Sequence, residues 1–255
     1  LMISLGRGEP VIKPEEWVNG SKSPCDGVLL AFWGTPLDIG KEILEDVEEV
    51  DLGGVPVLRS IKGIYRGKTI CIVQLYFGAP ASAMALELLI AMGAREFIVY
   101  GAAGAVHPSV RVYDIVVPTW GVREEGTSYH YLPPYVVPRP GQRITRILQH
   151  ELGRTAERLR VKLHTGGVWS TDAIFRETRD KVQRYSSMGV LAVDMESTAL
   201  MAIAMYRRVE LGIALVITDE LHGKEWGIKW NVHGDKERRI EREVVMAAIR
   251  TLSEA

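Results

Sequence analysis

Apolar runs of strand character alternate with amphipathic helical stretches along the whole chain, and no repeat, low-complexity tract or linker divides it. Gly27 to Trp33 reads as a buried strand, followed by Gly34-Thr35-Pro36 and a helical stretch to about Val47. Val55 to Tyr65 and Lys68 to Leu75 are strand-like runs around Arg66-Gly67, a hairpin signal. Ala81 to Met92 has helical periodicity and stops at Gly93. Phe97 to Tyr100 is a short β-rich run entering a Gly101-Ala102-Ala103-Gly104 turn, and Val112 to Pro118 is the next strand. The turn-rich stretch Gly121 to Pro140 is long for a loop. It precedes a helix from Gln142 to Leu159, a strand from Val161 to Trp169 and a helix near Glu177 to Tyr185. Val190 to Val193, Glu196 to Arg207 and Leu211 to Ile217 read as strand, helix and strand, and Lys236 to Leu252 as a charged amphipathic helix. Such alternation predicts one α/β domain over 1–255, with helices on both faces of a largely parallel sheet. In such sheets ligands sit at the carboxyl ends of the strands.

Composition excludes several partners. A chain of 255 residues can bury a substantial core, and 31 basic against 32 acidic residues give no global pull toward nucleic acid or an anionic membrane. No stretch reaches the roughly 18 apolar residues of a membrane span, and Leu1 to Val18 lacks the apolar run of a signal peptide. A cytoplasmic protein with neither nucleic-acid nor membrane partners is expected. Cys25 and Cys71 make neither a disulfide framework nor a zinc site; a turn residue and a buried strand residue are expected. Asn19 and Asn231 are the only asparagines, which points to a thermophilic source.

Three strand ends carry polar residues out of keeping with their apolar approach. At Val193-Asp194-Met195-Glu196, Glu196 reads either as a helix N-terminal carboxylate or as a fixed acceptor for a vicinal diol. At Val216-Ile217-Thr218-Asp219-Glu220, Asp219 reads as a helix cap or as a general acid. At Trp169-Ser170-Thr171-Asp172, Trp169 is either core or a flat wall for a base. Small residues at Gly34 and from Gly101 to Gly104 let a ligand approach the backbone, but neither segment matches a phosphate-loop or dinucleotide fingerprint.

Taken in order, these segments resemble the nucleoside phosphorylase family, which includes purine nucleoside phosphorylase, uridine phosphorylase and the methylthioadenosine nucleosidases. The resemblance rests on VDMESTAL (Val193 to Leu200), GGVWSTDAIF (Gly166 to Phe175), VITDEL (Val216 to Leu221), GAAGAV (Gly101 to Val106) and REEGTSYHYLPP (Arg123 to Pro134). It implies a central mixed sheet closed as a distorted barrel and flanked by helices, and cleavage of the ribose–base bond without metal or organic cofactor. It places Glu196 on the ribose 2′ and 3′ hydroxyls, with Met195 against the sugar and Trp169 over the base. Asp219, preceded by Thr218, protonates N7 of a departing purine. Asp194, Phe77, Gly34, Ala102 and Gly104 fall in the segments that surround the substrate. Where uracil-reading members carry a Gln-x-Arg pair this chain has Thr178 and Asp180, which favours a purine nucleoside. The resemblance also implies a homo-oligomer, a dimer or a ring of three dimers.

The chain departs from the family where phosphate is held. Asp38 and Val99 stand at the two arginine positions, Val11 at that of an N-terminal histidine, and Ala102 at that of a serine or threonine. The ribose-phosphate loop reads Gln74-Leu75-Tyr76-Phe77-Gly78. Phosphate beside a carboxylate at ~4 Å is repelled by a few kcal/mol even at an effective dielectric near 20. Three readings follow. A phosphorylase would recruit another base such as Arg59, Lys62 or Arg123; a nucleosidase would use Asp38 as general base toward water; a silent relative would bind nucleoside only. Glu196 and Asp219 are expected to face one cavity.

Overall fold

The computed structural model describes residues 6, 8–228, 230–231 and 234–255, so most of the N-terminal stretch before Gly8 lies outside the described residues. β1 (Gly27–Ala31) is buried along its whole length, as its unbroken apolar run requires. It lies between β4 (Lys68–Gln74) and β5 (Glu96–Ala105), parallel to both. β3 (Arg59–Tyr65) hairpins onto β4 through Arg66-Gly67, both at positive φ, and β2 (Glu45–Glu49) pairs antiparallel outside it. The helical stretch expected to reach Val47 therefore ends earlier: α2 (Thr35–Ile43) stops and the acidic segment after it becomes an edge strand.

The remaining strands are β6 (Ile115–Glu124), β7 (Leu163–Thr171), β8 (Val190–Asp194), β9 (Glu210–Glu220) and β10 (Gly227–Ile228). The order β10-β9-β6-β7-β8-β5-β1-β4-β3-β2, with β9 also paired to β5, closes five strands into a ring. The sheet is mixed: β5–β9, β6–β7 and β7–β8 run parallel, β5–β8 and β6–β9 antiparallel. The distorted barrel implied by the resemblance is therefore present.

Ring closure corrects one expectation. Gly101 to Gly104 is not a turn but the second half of β5, in register with β9 from Gly101↔Leu215 to Gly104↔Asp219. A Cβ at Gly101 would meet Leu215 at 3.0 Å, and one at Gly104 would collide with Leu221 and reach Asp219 Oδ2 at 3.2 Å. The small residues make room for neighbouring side chains, and their turn-like composition follows from that packing.

Helix character divides by position. α3 (Ala79–Ala91) and α6 (Ser197–Arg207) are apolar almost all round and pack on each other inside the molecule. α4 (Gln142–Leu159) buries Ile144, Leu148, Leu152 and Thr155, a stripe at spacings of four and three, against the 20-residue α7 (Asp235–Glu254). A four-residue α1 (Pro14–Trp17) and α5 (Arg179–Ser187) complete the set. No helix of the described residues is long and apolar enough to cross a membrane.

Cys25 and Cys71 form a disulfide, contrary to expectation. The β1–β4 register, which pairs Val28 with Cys71, brings residues 46 apart in sequence to a Cα separation of 5.7 Å.

Candidate active site

β5, β8 and β9 end together at one edge of the ring. Gly104 pairs with Val193 of β8 on one side and with Asp219 of β9 on the other. Asp219 is thus a strand residue and not a helix cap. Thr218 Oγ1 donates to its Oδ1 at 3.0 Å, and the indole N–H of Trp226 donates to its Oδ2 at 2.7 Å.

Two residues beyond β8, Glu196 occupies the N-cap position of α6 without bonding that helix through its side chain. It is buried, and its Oε1 accepts the Gly78 amide at 2.7 Å. Burial, with the charge of Asp194 beside it, pushes Glu196 up to about 8, against the pull of the Gly78 and Met195 amides. Met195 is half-buried next to it. Asp194 does the capping instead: its Oδ2 accepts the amide of Ser197 at 3.0 Å and also that residue's hydroxyl, and its Oδ1 accepts Ser170 Oγ. Burial pushes Asp194 up, opposed by these same bonds. The structure thus reassigns Asp194 from substrate contact to the β8–α6 turn that aims Glu196.

Trp169 is likewise reassigned. It is fully buried in a small cluster with Val106, Val182, Tyr185, Val190 and Val193, and its indole N–H donates to Glu124 Oε2 at 3.0 Å. Its ring meets Tyr185 at a centroid distance of 4.9 Å, so it offers no open face to a base. Two other aromatics lie beside Asp219. Phe175, 95% exposed, and Trp226, 67% exposed, line a cavity of about 330 Å³ with Asp219, Glu177, Val182 and Leu221. That volume lies at the lower end for small-molecule sites. Burial first, and the charge of Asp219 second, push Glu177 up to about 7, with Lys181 opposing.

Glu196 does not line this cavity. The loop 75–78 covers it, so the two acids share one edge of the ring without opening into one hollow as expected. A larger cavity of about 880 Å³ lies between the N-terminal segment, α3, the 3-10 turn Thr127–His130 and the end of α6. Asp172 is on its wall, and that residue's charge reaches Glu196. Glu196 itself lines neither hollow.

The other expected residues scatter. Ala102 is exposed within a strand buried on both sides of it, which marks an open position on β5. Gly34 sits before α2, where an added Cβ would make ordinary contact with Gln74 Oε1 at 3.8 Å. Phe77 is 68% exposed and stacks on Phe32 at 6.1 Å. Asp38 lies exposed in the first turn of α2, and among the described residues no hydrogen bond or cavity wall connects it to Glu196 or Asp219. That position matches an ordinary helix N-terminal carboxylate.

The substitute phosphate ligands are all engaged. Arg59 pairs with Glu49 at 3.2 Å and Lys62 with Glu48 at 2.7 Å. Arg123 is buried, and its guanidinium donates to Ser128 Oγ and to the carbonyls of Leu132, Pro133 and Val136 while lying 4.0 Å over the Tyr129 ring. With Glu125, which accepts the Ser128 amide and the Thr198 hydroxyl, it shapes the 123–140 segment. The stretch packs on α6 through its 3-10 turn and the Thr198–Glu125 bond.

Sequence reasoning missed Glu177 and Trp226. Only the nearness of Glu177 to the WSTD segment was available as a signal, and Trp226 had none.

The described geometry has counterparts. The sequence profile of the phosphorylase superfamily matches residues 29–252. A guanosine phosphorylase of Halorubrum lacusprofundi is 28% identical over 161 residues, 63% of this chain and 65% of that protein. A uridine phosphorylase of Treponema pallidum is 28% identical over 186 residues, 69% of this chain and 70% of its own length. A DeoD-type purine nucleoside phosphorylase of Brevibacillus brevis is 27% identical over 187 residues, 70% and 78% of the two chains. The crystal structure of uridine phosphorylase from Vibrio fischeri superposes with a TM-score of 0.76 over 94% of this chain and 100% of that one, at 24% identity.

Proposed function

The chain belongs to the phosphorylase superfamily, and from that premise we propose that it cleaves the N-glycosidic bond of a purine ribonucleoside with inorganic phosphate as acceptor. The observation that supports the reading is that Gly104 pairs with Val193, three residues before Glu196, on one side and with Asp219 on the other, so both acids stand where β8 and β9 end against β5. One buried carboxylate can take both ribose hydroxyls once the Gly78 amide yields its place. A carboxylic acid at Asp219 can give its proton to N7 as the C1′–N9 electron pair moves onto the base. Phosphate oxygen then bonds to C1′, giving free purine and ribose 1-phosphate. Fixing the sugar and neutralising the base both favour an oxocarbenium-like transition state.

Hydrolysis is the alternative, and one observation favours it: Arg59, Lys62 and Arg123 are all occupied elsewhere. Water would then attack C1′ and release its proton to a base, for which Asp38 is the nominee. Incubation with adenosine, inosine, guanosine, uridine and methylthioadenosine, with and without phosphate, separates the readings. Ribose 1-phosphate formed only with phosphate supports phosphorolysis. Free ribose supports hydrolysis, and binding without turnover supports a silent nucleoside-binding relative. If Asp38→Asn leaves hydrolysis unchanged, the base role is refuted.

A homo-oligomer belongs to the same reading. Ile12, Trp17 and Met84 expose large apolar surface around the 880 Å³ hollow, which supports an interface there. Light scattering that finds a monomer removes it.

A further inference from the structure

α7 turns a largely apolar face inward, with Ile240, Val244, Val245 and Ala248 buried, and Glu241 is buried with them. The cleavage chemistry does not use this acid. Among the described residues one donor is hydrogen-bonded to its carboxyl group, the indole N–H of Trp33, at 2.8 Å to Oε1. Burial pushes Glu241 up, opposed by that bond and by the charge of Arg238, with Glu237 adding to the rise. Burial first and the nearby charge of Glu241 second push the Tyr100 hydroxyl up, and among the described residues that hydroxyl has no hydrogen-bond partner. The carboxyl group is thus turned to the indole and not to the phenol. A buried carboxylate with one neutral donor does not recover its lost hydration, so the pair is a poor source of stability. What it fixes is direction: Trp33 is held at its N–H by α7 and against its ring by Tyr100, with centroids 5.2 Å apart.

Trp33 lies in the short link from β1 to α2, and the residues around it touch the loop that covers Glu196. Phe32 stacks on Phe77 at 6.1 Å, the Ala31 carbonyl accepts the Leu75 amide at 2.8 Å, and Gly34 lies beside Gln74. That loop ends at Gly78, whose amide donates to Glu196. We propose that Glu241 is a positioning residue for Glu196: its bond to Trp33 holds the Phe32–Gly34 link, and through Phe77 keeps the Gly78 amide closed on the carboxylate. This rests on the reading of Glu196 as the acceptor for the ribose hydroxyls. Those hydroxyls take the place of the amide, so whatever pins the loop sets how readily a ribonucleoside displaces it. Releasing the pin has two effects of defined sign. In the free protein Glu196 loses an N–H that favours its charged form, while Asp194 and Asp172 still oppose that charge, so it titrates at higher pH. Toward a ribonucleoside the ionised carboxylate is freed from competition, and binding tightens. A nucleoside without the two hydroxyls is indifferent to the change.

The test breaks the bond from either side. Trp33→Phe keeps a ring on Tyr100 and loses the donor, Glu241→Leu removes the acceptor, and Glu241→Gln retains an acceptor oxygen for the indole. NMR of protein labelled at its glutamate carboxyl carbons follows Glu196, whose signal is assigned by its absence from Glu196→Gln. Trp33→Phe and Glu241→Leu should each move that titration from about 8 to higher pH, and the double variant should move it no further. Glu241→Gln should leave it in place. Calorimetry at a pH above the titration of every variant compares inosine with its 2′,3′-dideoxy analogue. The two pin-breaking variants should bind inosine about fivefold more tightly than wild type, the worth of one hydrogen bond, and the analogue equally. An unmoved Glu196 titration overturns the proposal whether or not nucleosides bind. So does a Glu241→Gln that shifts Glu196 as far as Glu241→Leu does. A moved titration with no gain for inosine over its analogue keeps the pin and sinks the ribose reading of Glu196.

Discussion

The amide of Gly78 donates to Oε1 of Glu196 at 2.7 Å, so the carboxylate assigned to the ribose diol is held by the loop that lies over it. A side chain kept for binding in this way carries a stability cost, and its sign is fixed by the direction of the Glu196 shift. The folded group titrates near 8 and an unfolded glutamate near 4.5. Between those pH values the folded chain holds a proton that the unfolded chain releases. Stability therefore falls as pH rises through that window. Glu196→Gln resembles the protonated acid and does not titrate. It should match wild type at about pH 4 and exceed it by roughly 2–4 kcal/mol at about pH 8, while ribonucleoside turnover falls at least ~100-fold. Denaturant unfolding at a series of pH values checks this, and a difference that does not change with pH contradicts it.

Asp219→Asn should lower kcat for guanosine or inosine by roughly 10²- to 10⁴-fold, the span of a general-acid contribution, with a smaller effect on KM. Substrate chemistry gives the control. A nucleoside methylated at N7 already carries the positive charge that protonation would create, so its base leaves without an acid. The variant should cleave 7-methylguanosine at close to the wild-type rate. Equal losses on both substrates would show that Asp219 acts through structure and not through a proton.

Arg123 is predicted to be a stability residue. Its guanidinium serves a hydroxyl and three carbonyls from inside the 123–140 segment. Removing it leaves those acceptors buried without donors, at a cost of about 3 kcal/mol. Arg123→Met should lower the melting temperature by several degrees, while KM for phosphate in surviving folded protein stays within a few-fold. A large rise in that KM without loss of stability would return Arg123 to the phosphate site.

The sequence made legible what is local and periodic. The alternation of strands and helices, the ends of α4 and the polar residues closing β8 and β9 are all contiguous patterns. What it hid depends on closure of the ring. Gly101 to Gly104 has the composition of a turn because Leu215 and Leu221 fill the space beside it, and that packing exists only once β9 pairs with β5. Trp169 reads equally as core or as wall, because an aromatic fits both, and only the family resemblance sets it over the base. Its burial follows from Glu124 and Tyr185, 45 and 16 residues away along the chain. Glu177 reaches the cavity through a short irregular turn that has no periodicity to read.

The Cys25–Cys71 bond lends itself to a test of what braces the open half of the sheet. It joins the residue two before β1 to the interior of β4, and those strands already pair in parallel. The link therefore adds little to the folded state that the ladder does not supply. Its effect falls on the unfolded chain, which loses the freedom of a loop spanning 46 residues. Chain entropy puts that at about 4 kcal/mol for such a loop. The unfolding midpoint in urea should drop when a phosphine reductant is present. Cys25→Ser combined with Cys71→Ala should unfold at the reduced-protein midpoint whether or not reductant is added. Catalytic constants should not move, because neither sulfur lies on the wall of the Asp219 cavity. A wild-type midpoint indifferent to reductant would mean that the β1–β4 ladder and its buried apolar faces hold this edge unaided.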